Sequence, residues 1–220
     1  AAGLFQAAWT LGSLYTAFIL QAMGTDFYPR LVGAIGDVER RARLVNEQMI
    51  ASLMLAGPGI ILTLALAPFI LWLLYSAEFR DAAPTLRWIC LGMALRVITW
   101  PPGYLIVSMN ERWVFIGVEI AWAVANVGLT VLLVREFGLE GAGIAFAASY
   151  VVHGVIVFAI VRNRYTFTPT RTALWYGAAF VLAAVAVLFS LRLWSEPVAT
   201  VFAVLVTAVI AAVSLRTLVT

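Results

Sequence analysis

The chain has 220 residues, of which 64% are hydrophobic and 11% charged, with a net charge of +3. Ordinary globular chains carry about 25% charged residues, so this composition excludes a soluble domain of the same length. All 14 basic residues are arginine, and they fall in clusters between apolar stretches. Membrane topology therefore explains the positive balance, and a nucleic-acid partner is not implied.

Crossing a ~30 Å hydrocarbon core takes about 20 apolar residues in a helix. Seven stretches qualify, at 3–24, 49–75, 84–108, 113–134, 140–161, 172–191 and 197–215. Helices satisfy their own backbone in lipid, so the expected fold class is all-α, a polytopic transmembrane bundle of about seven spans. The chain opens directly on an apolar helix, with no initiator Met, basic leader or cleavage site, and reads as a piece of a longer protein. Arg30, Arg40, Arg41, Arg43, Arg112, Arg162, Arg164, Arg171 and Arg216 share one side of these spans, and Arg80, Arg87, Arg135 and Arg192 share the other. The positive-inside rule makes the richer side cytoplasmic, which puts the N-terminus outside and the C-terminus inside.

In the first span Gln6, Thr10, Ser13, Ala17, Gln21 and Gly24 recur at helical spacing and share one face. Such a stripe serves either helix packing or a solvated cavity. Asp26 and Arg30 follow as an interfacial pair. The segment 29–48 alternates charge at Asp37, Glu39, Arg40, Arg41, Arg43 and Glu47, and reads as a solvated interfacial helix with local ion pairs.

The third span carries Arg96, followed by Trp100-Pro101-Pro102-Gly103. Each proline removes a backbone donor and crowds the preceding turn, which predicts a kink or an unwound segment, with Pro101, Pro102 and Gly103 as a hinge. Gly92, Arg96, Thr99 and Gly103 share a face. The fourth span places Glu119, Ala123, Asn126 and Thr130 on one face, with Trp122 beside it. At ~1.5 Å per residue Glu119 lies about 13 Å deep and Arg96 about 21 Å. They are the only charges deep within the apolar segments. An ion in hydrocarbon costs several kcal/mol and marks a bundle interior or wet cavity. Two readings stand: an Arg96–Glu119 pair that holds helices in register, or an anion site at Arg96 with Glu119 as counter-ion or ion-coupling group.

The fifth span offers Gly143, Ala147, Tyr150 and Gly154 as a small-residue packing face, with His153 beside it as a cross-helix hydrogen-bonding group. Gly138–Gly143 reads as a tight turn, because a phosphate loop would have to follow a strand. The last two spans hold no internal charge and read as a lipid-facing hairpin. Trp88, Trp113, Trp175 and Trp194 lie near span ends as headgroup anchors. The lone Cys90 and lone His153 offer no metal cluster, and no loop is long enough to carry hydrolytic machinery. No catalytic residue, metal or cofactor is therefore expected.

DFYPRL at 26–31, LAPFILWLLYSAEFRDAAPTLRW at 66–88, LRVITWPPGYLIVSMNERW at 95–113 and FGLEGAGIAFAASYVV at 137–152, in that order and spacing, resemble the polysaccharide (O-antigen type) flippases of the multidrug/oligosaccharidyl-lipid/polysaccharide exporter superfamily. The resemblance implies two six-helix lobes around a central cavity, often with two further helices. Residues 1–165 then correspond to most of the C-terminal lobe, five spans, and 166–220 to an appended hairpin of two. It also implies translocation of undecaprenyl-diphosphate-linked oligosaccharide across a bacterial inner membrane for surface polysaccharide or lipopolysaccharide synthesis. The partners would be that glycan lipid, membrane lipids and the N-terminal lobe. Arg96, Trp100, Tyr104 and Asn126 are the substrate-binding candidates, and Glu119 is the ion-coupling or counter-ion candidate. The alternatives are a cation-coupled small-molecule antiporter of the same fold, a membrane glycosyltransferase or ligase, and a non-catalytic membrane scaffold.

Overall fold

The computed structural model describes residues 2–219, with the side chains of Glu196 and Val219 set aside. The helices run α1 (Ala2–Val32), α2 (Val38–Ala65), α3 (Ala67–Leu74), α4 (Ala83–Ser108), α5 (Arg112–Tyr165), α6 (Arg171–Leu193) and α7 (Glu196–Val219), with a 3-10 turn at Ala77–Ala82 before α4. No strand occurs among the described residues. Among the described residues six helices are long and apolar enough to cross a membrane.

One of the six crosses twice. α5 has 54 residues and would reach about 80 Å if straight, but Gly138 adopts φ 57° and ψ −138°, a combination open essentially to glycine alone. The chain reverses there. A Cβ placed on Gly141 would lie 2.1 Å from the Leu133 carbonyl oxygen, whereas eight residues of straight helix separate atoms by about 12 Å. Trp122 and Tyr150 face each other across the hairpin with ring centroids 5.5 Å apart. Counting the arms 112–137 and 139–165 separately gives seven crossings among the described residues, as the hydropathy pattern predicts.

Two boundaries differ from expectation. The charged segment before residue 49 is continuous with the second span, as the first turns of α2. Asp37 caps that helix by accepting from the Arg40 backbone N–H at 2.9 Å, and no Gly or Pro intervenes before Gly57-Pro58. The second apolar stretch also splits at Leu66, ahead of Pro68 in the first turn of α3. Proline is tolerated at that position because helix-start N–H groups lack partners anyway.

α2 and α4 form the middle of the bundle. α4 packs on α1, α2, α5 and α6, while α2 also carries α6 and α7. The α4–α5 seam runs along glycines of both helices, two of them on the small-residue face predicted for the second arm. Gly143 abuts the Thr85 backbone, Gly92 abuts Phe146 and Ala147, and Gly154 meets the Thr99 methyl. The bundle's outer surface is apolar: Phe18 is 72% exposed, Trp113 73% and Trp175 67%. Large apolar side chains turned outward on the spans around α4 suit lipid as the surrounding solvent, since in water they would form an extended hydrophobic patch.

The arginine-rich end is tied by side chains from distant segments. Arg41 is buried, and its guanidinium donates to Ile35 O at 2.9 Å and to Tyr165 O at 3.1 Å. It is therefore not part of a solvated charge run, because it spends its donors on carbonyls at two chain turns. Asn46 accepts from the Thr170 N–H at 2.6 Å, and Arg164 pairs with Glu111. At the opposite end Glu140 accepts from Trp88 Nε1 at 2.7 Å and pairs with Arg192. Trp88 is thus held within the bundle and is not a simple headgroup anchor.

Candidate functional site

α1 and the first arm of α5 both flank α4 without packing closely on each other. The space between them is a cavity of about 620 Å³, with α4 as its floor and the second arm of α5 closing one side. α1 contributes Gln21, Gly24, Thr25 and Tyr28, and α4 contributes Arg96, Thr99, Trp100, Gly103 and Tyr104. Phe115, Val118, Glu119 and Trp122 come from the first arm of α5, and Tyr150, His153 and Val157 from the second.

Arg96 is half-buried on the floor, and its guanidinium makes no hydrogen bond or ion pair among the described residues. Glu119 lines the same cavity but its neighbour is His153, with Nε2 and Oε1 3.9 Å apart. Of the two readings left open by the sequence, the Arg96–Glu119 pair is not formed. Instead, one cation stands without a counter-ion at contact distance, in a space otherwise walled by rings and small polar groups. Removing a guanidinium from water costs several kcal/mol unless it is paired or stays solvated, so an open cavity is the environment that tolerates it.

The aromatic candidates converge on the same cavity. Trp100 and Tyr104 lie with ring centroids 4.5 Å apart, and Tyr28 meets Tyr104 edge-on at 6.0 Å. Gly24 admits this close approach of α1 to α4, since a Cβ there would sit 3.1 Å from the Tyr104 hydroxyl and 3.3 Å from Trp100. Gly103 leaves its side of the floor open, with no atom within 4 Å of where a Cβ would stand.

Two candidates are placed differently. Asn126 faces a second groove of about 450 Å³, with Gln6, Trp9 and Thr130. There it accepts from the Thr130 hydroxyl at 3.3 Å. Seven residues of helix carry it about 10 Å from Glu119 along the same face, beyond the cavity that Arg96 lines. Pro101 and Pro102 are buried, and α4 remains helical through both. The unwinding predicted there does not occur. The prolines leave the Val97 and Ile98 carbonyls without their i+4 donors, while packing from α1, α2 and α5 holds the helical path.

The stripe on α1 divides between packing and open space, with Gly24 packed against Trp100 and Tyr104. Gln21 and Gly24 line the main cavity and Gln6 the second groove. His153 and Tyr28 are cavity residues that sequence spacing did not single out for binding, although His153 was visible as the chain's one histidine. No group of three His, Cys, Asp or Glu side chains suited to a metal occurs among the described residues.

No family model matches the chain. Over 156 residues it is 21% identical to the probable low-salt glycan biosynthesis flippase of Haloferax volcanii, covering 70% of this chain and 33% of that protein. Its fold is similar to that of the lipid II flippase MurJ in an inward closed conformation, with a TM-score of 0.66 and 12% identity over 97% of this chain and 48% of that one. The chain spans about a third to a half of the proteins it resembles. It shares the helical architecture of about half of a lipid II flippase and has sequence similarity to a glycan-biosynthesis flippase. The O-antigen type is a narrower assignment than these similarities carry.

Proposed function

We propose that this chain is the C-terminal part of a flippase that carries a lipid-linked oligosaccharide across the cytoplasmic membrane. The unpaired guanidinium of Arg96, in a cavity open between α1 and α5, carries the reading. A diphosphate needs a cation where water is scarce, and arginine offers a planar fork of donors that matches phosphate oxygens. Trp100 and Tyr104 offer ring faces beside it, suited to the apolar faces of sugar rings. Gly103 and the donor-less turn at Pro101–Pro102 make α4 the element able to flex as access alternates.

In this reading residues 1–165 form most of one lobe, and 166–220, as α6 and α7, the appended pair. The absent partner is an N-terminal lobe of the same protein, which faces the open side of the cavity. The arginine-rich end lies in the cytoplasm, and the membrane is a bacterial inner membrane with an undecaprenyl-diphosphate carrier serving surface polysaccharide synthesis. A small-molecule antiporter draws less support, because cation exchange favours acidic cavity groups and Glu119 is the one carboxylate among the lining residues.

The test is complementation. The full-length gene should restore surface polysaccharide to a strain lacking its own copy, and the Arg96→Ala variant should fail at equal protein level. Normal polysaccharide with Arg96→Ala would remove the anion site. Failure of the intact gene with accumulation of a small-molecule substrate would favour the antiporter.

A further inference from the structure

We infer that the second groove, between α1 and the first arm of α5, is a subsite for neutral sugar rings that takes the glycan while Arg96 takes its diphosphate. The inference rests on the anion reading of Arg96 and extends it along the same cleft. Phe5, Gln6 and Trp9 line the groove from α1, with Asn126 and Thr130 opposite, and no lining side chain is charged. Gln6 donates to Thr10 Oγ1 at 3.4 Å, and Asn126 accepts from the Thr130 hydroxyl at 3.3 Å. Both bonds stay within one helix and use one end of each carboxamide. The other ends make no hydrogen bond to protein among the described residues.

Two open carboxamides beside an indole select the occupant. A carboxamide carries both donors and an acceptor, which matches hydroxyl groups. A pyranose has hydroxyls at its rim and a face of C–H groups that rests on the electron-rich face of an aromatic ring. An anion would find no cation here, and a lipid tail would leave both carboxamides without partners. The groove also continues the cavity. On α5 Asn126 lies about 6 Å beyond Trp122, one helical turn. On α1 Thr10, Ser13 and Ala17 share the face of Gln6 and Gln21, so small and hydroxyl-bearing side chains line the way between. Beneath them Phe146 is buried and touches one ring of each space. Trp9 of the groove meets it edge-on at 5.1 Å and Tyr150 of the cavity at 5.0 Å, so those two rings are at most about 10 Å apart. That is the length of a disaccharide. Phe5 lies nearly parallel to Trp9 at 6.3 Å and extends the ring surface. The groove is at the end away from the arginine-rich side, so a substrate held at Arg96 by its diphosphate enters it with its sugars foremost.

The test uses the full-length protein in lipid nanodiscs and two probes of equal charge. One is the methyl diester of farnesyl diphosphate, and the other is the same lipid diphosphate esterified to a neutral trisaccharide. Wild type should bind the trisaccharide probe about tenfold more tightly, as a ring contact and one or two hydrogen bonds provide. The double variant Gln6→Leu/Asn126→Leu should cut that preference to about twofold or less, with the methyl probe bound as by wild type. Trp9→Ala should act in the same direction, and Arg96→Ala should weaken both probes alike. Equal binding of the two probes by wild type, or an unchanged preference in the double variant, would overturn the sugar subsite and leave the Arg96 site standing. An unchanged preference with a lowered unfolding temperature in the double variant would give the groove to the N-terminal lobe and overturn the subsite. Methyl-probe binding that Arg96→Ala does not weaken would overturn the anion reading beneath it. Absence of binding by either probe would overturn both.

Discussion

Two arginines within the bundle are treated in opposite ways. Arg41, at the arginine-rich end, is buried and gives its donors to Ile35 O and Tyr165 O, joining the α1–α2 turn to the end of α5. Arg96, in the cavity, makes no guanidinium hydrogen bond or ion pair among the described residues. The first charge is spent on holding helices together and the second is left available. A guanidinium that stabilises the fold is recognised by the carbonyls it satisfies, and one that serves a ligand by the space kept open around it.

The contrast breaks first at Arg41. Arg41→Ala removes two charge-assisted hydrogen bonds, each worth about 1.5–3 kcal/mol, and strands both carbonyls. Unfolding in detergent should register a loss of about 3 kcal/mol. A loss below about 1 kcal/mol would mean that Arg41 is as uncommitted as Arg96.

A comparable loss is expected at the turn that shapes the cavity. Gly141→Ala sets a Cβ against the Leu133 carbonyl oxygen, where 2.1 Å is available. Splaying the hairpin should cost about 1–3 kcal/mol and separate Glu119 from His153. A cysteine pair at Trp122 and Tyr150 that cross-links in wild type should then cross-link poorly. Unaltered cross-linking would show that the arms are held by contacts other than the turn.

At the Gly138 end the effect is smaller. Glu140→Gln weakens the bonds to Trp88 and Arg192, and a partly exposed pair of this kind is worth up to about 1 kcal/mol. A thermal shift larger than that of Arg41→Ala would move the structural weight to the other end of the bundle. The smallest effect on stability belongs to Arg96→Ala, within about 0.5 kcal/mol, because no hydrogen bond or ion pair of the guanidinium is lost.

Much of this could be read from the chain. Hydropathy located the spans because a bilayer imposes a length on every crossing. Arg96 stood out because a charge deep in an apolar run has so few permitted environments. Arg41 did not, since its alternating-sign neighbours imitate a solvated face and its partner Tyr165 lies 124 residues away. Asn126 was grouped with Glu119 correctly by face but not by height, because a shared stripe says nothing about where a cavity ends. The prolines at 101 and 102 predicted a break from local sterics alone. Packing on both sides of α4 decided against unwinding. His153 lies opposite Glu119 only because the Gly138 hairpin sets it there.

The most direct measurement of the Arg96 assignment is transport itself. Full-length wild-type and Arg96→Ala proteins would be reconstituted at equal density in vesicles, and translocation of a fluorescent diphosphate-linked oligosaccharide lipid followed by quenching from outside. Loss of a charge-assisted contact of about 1.5–3 kcal/mol corresponds to a tenfold or greater drop in rate at about 1.4 kcal/mol per decade, with partial retention in Arg96→Lys. Equal rates for wild type and Arg96→Ala would contradict the assignment of the cavity's free guanidinium to the substrate.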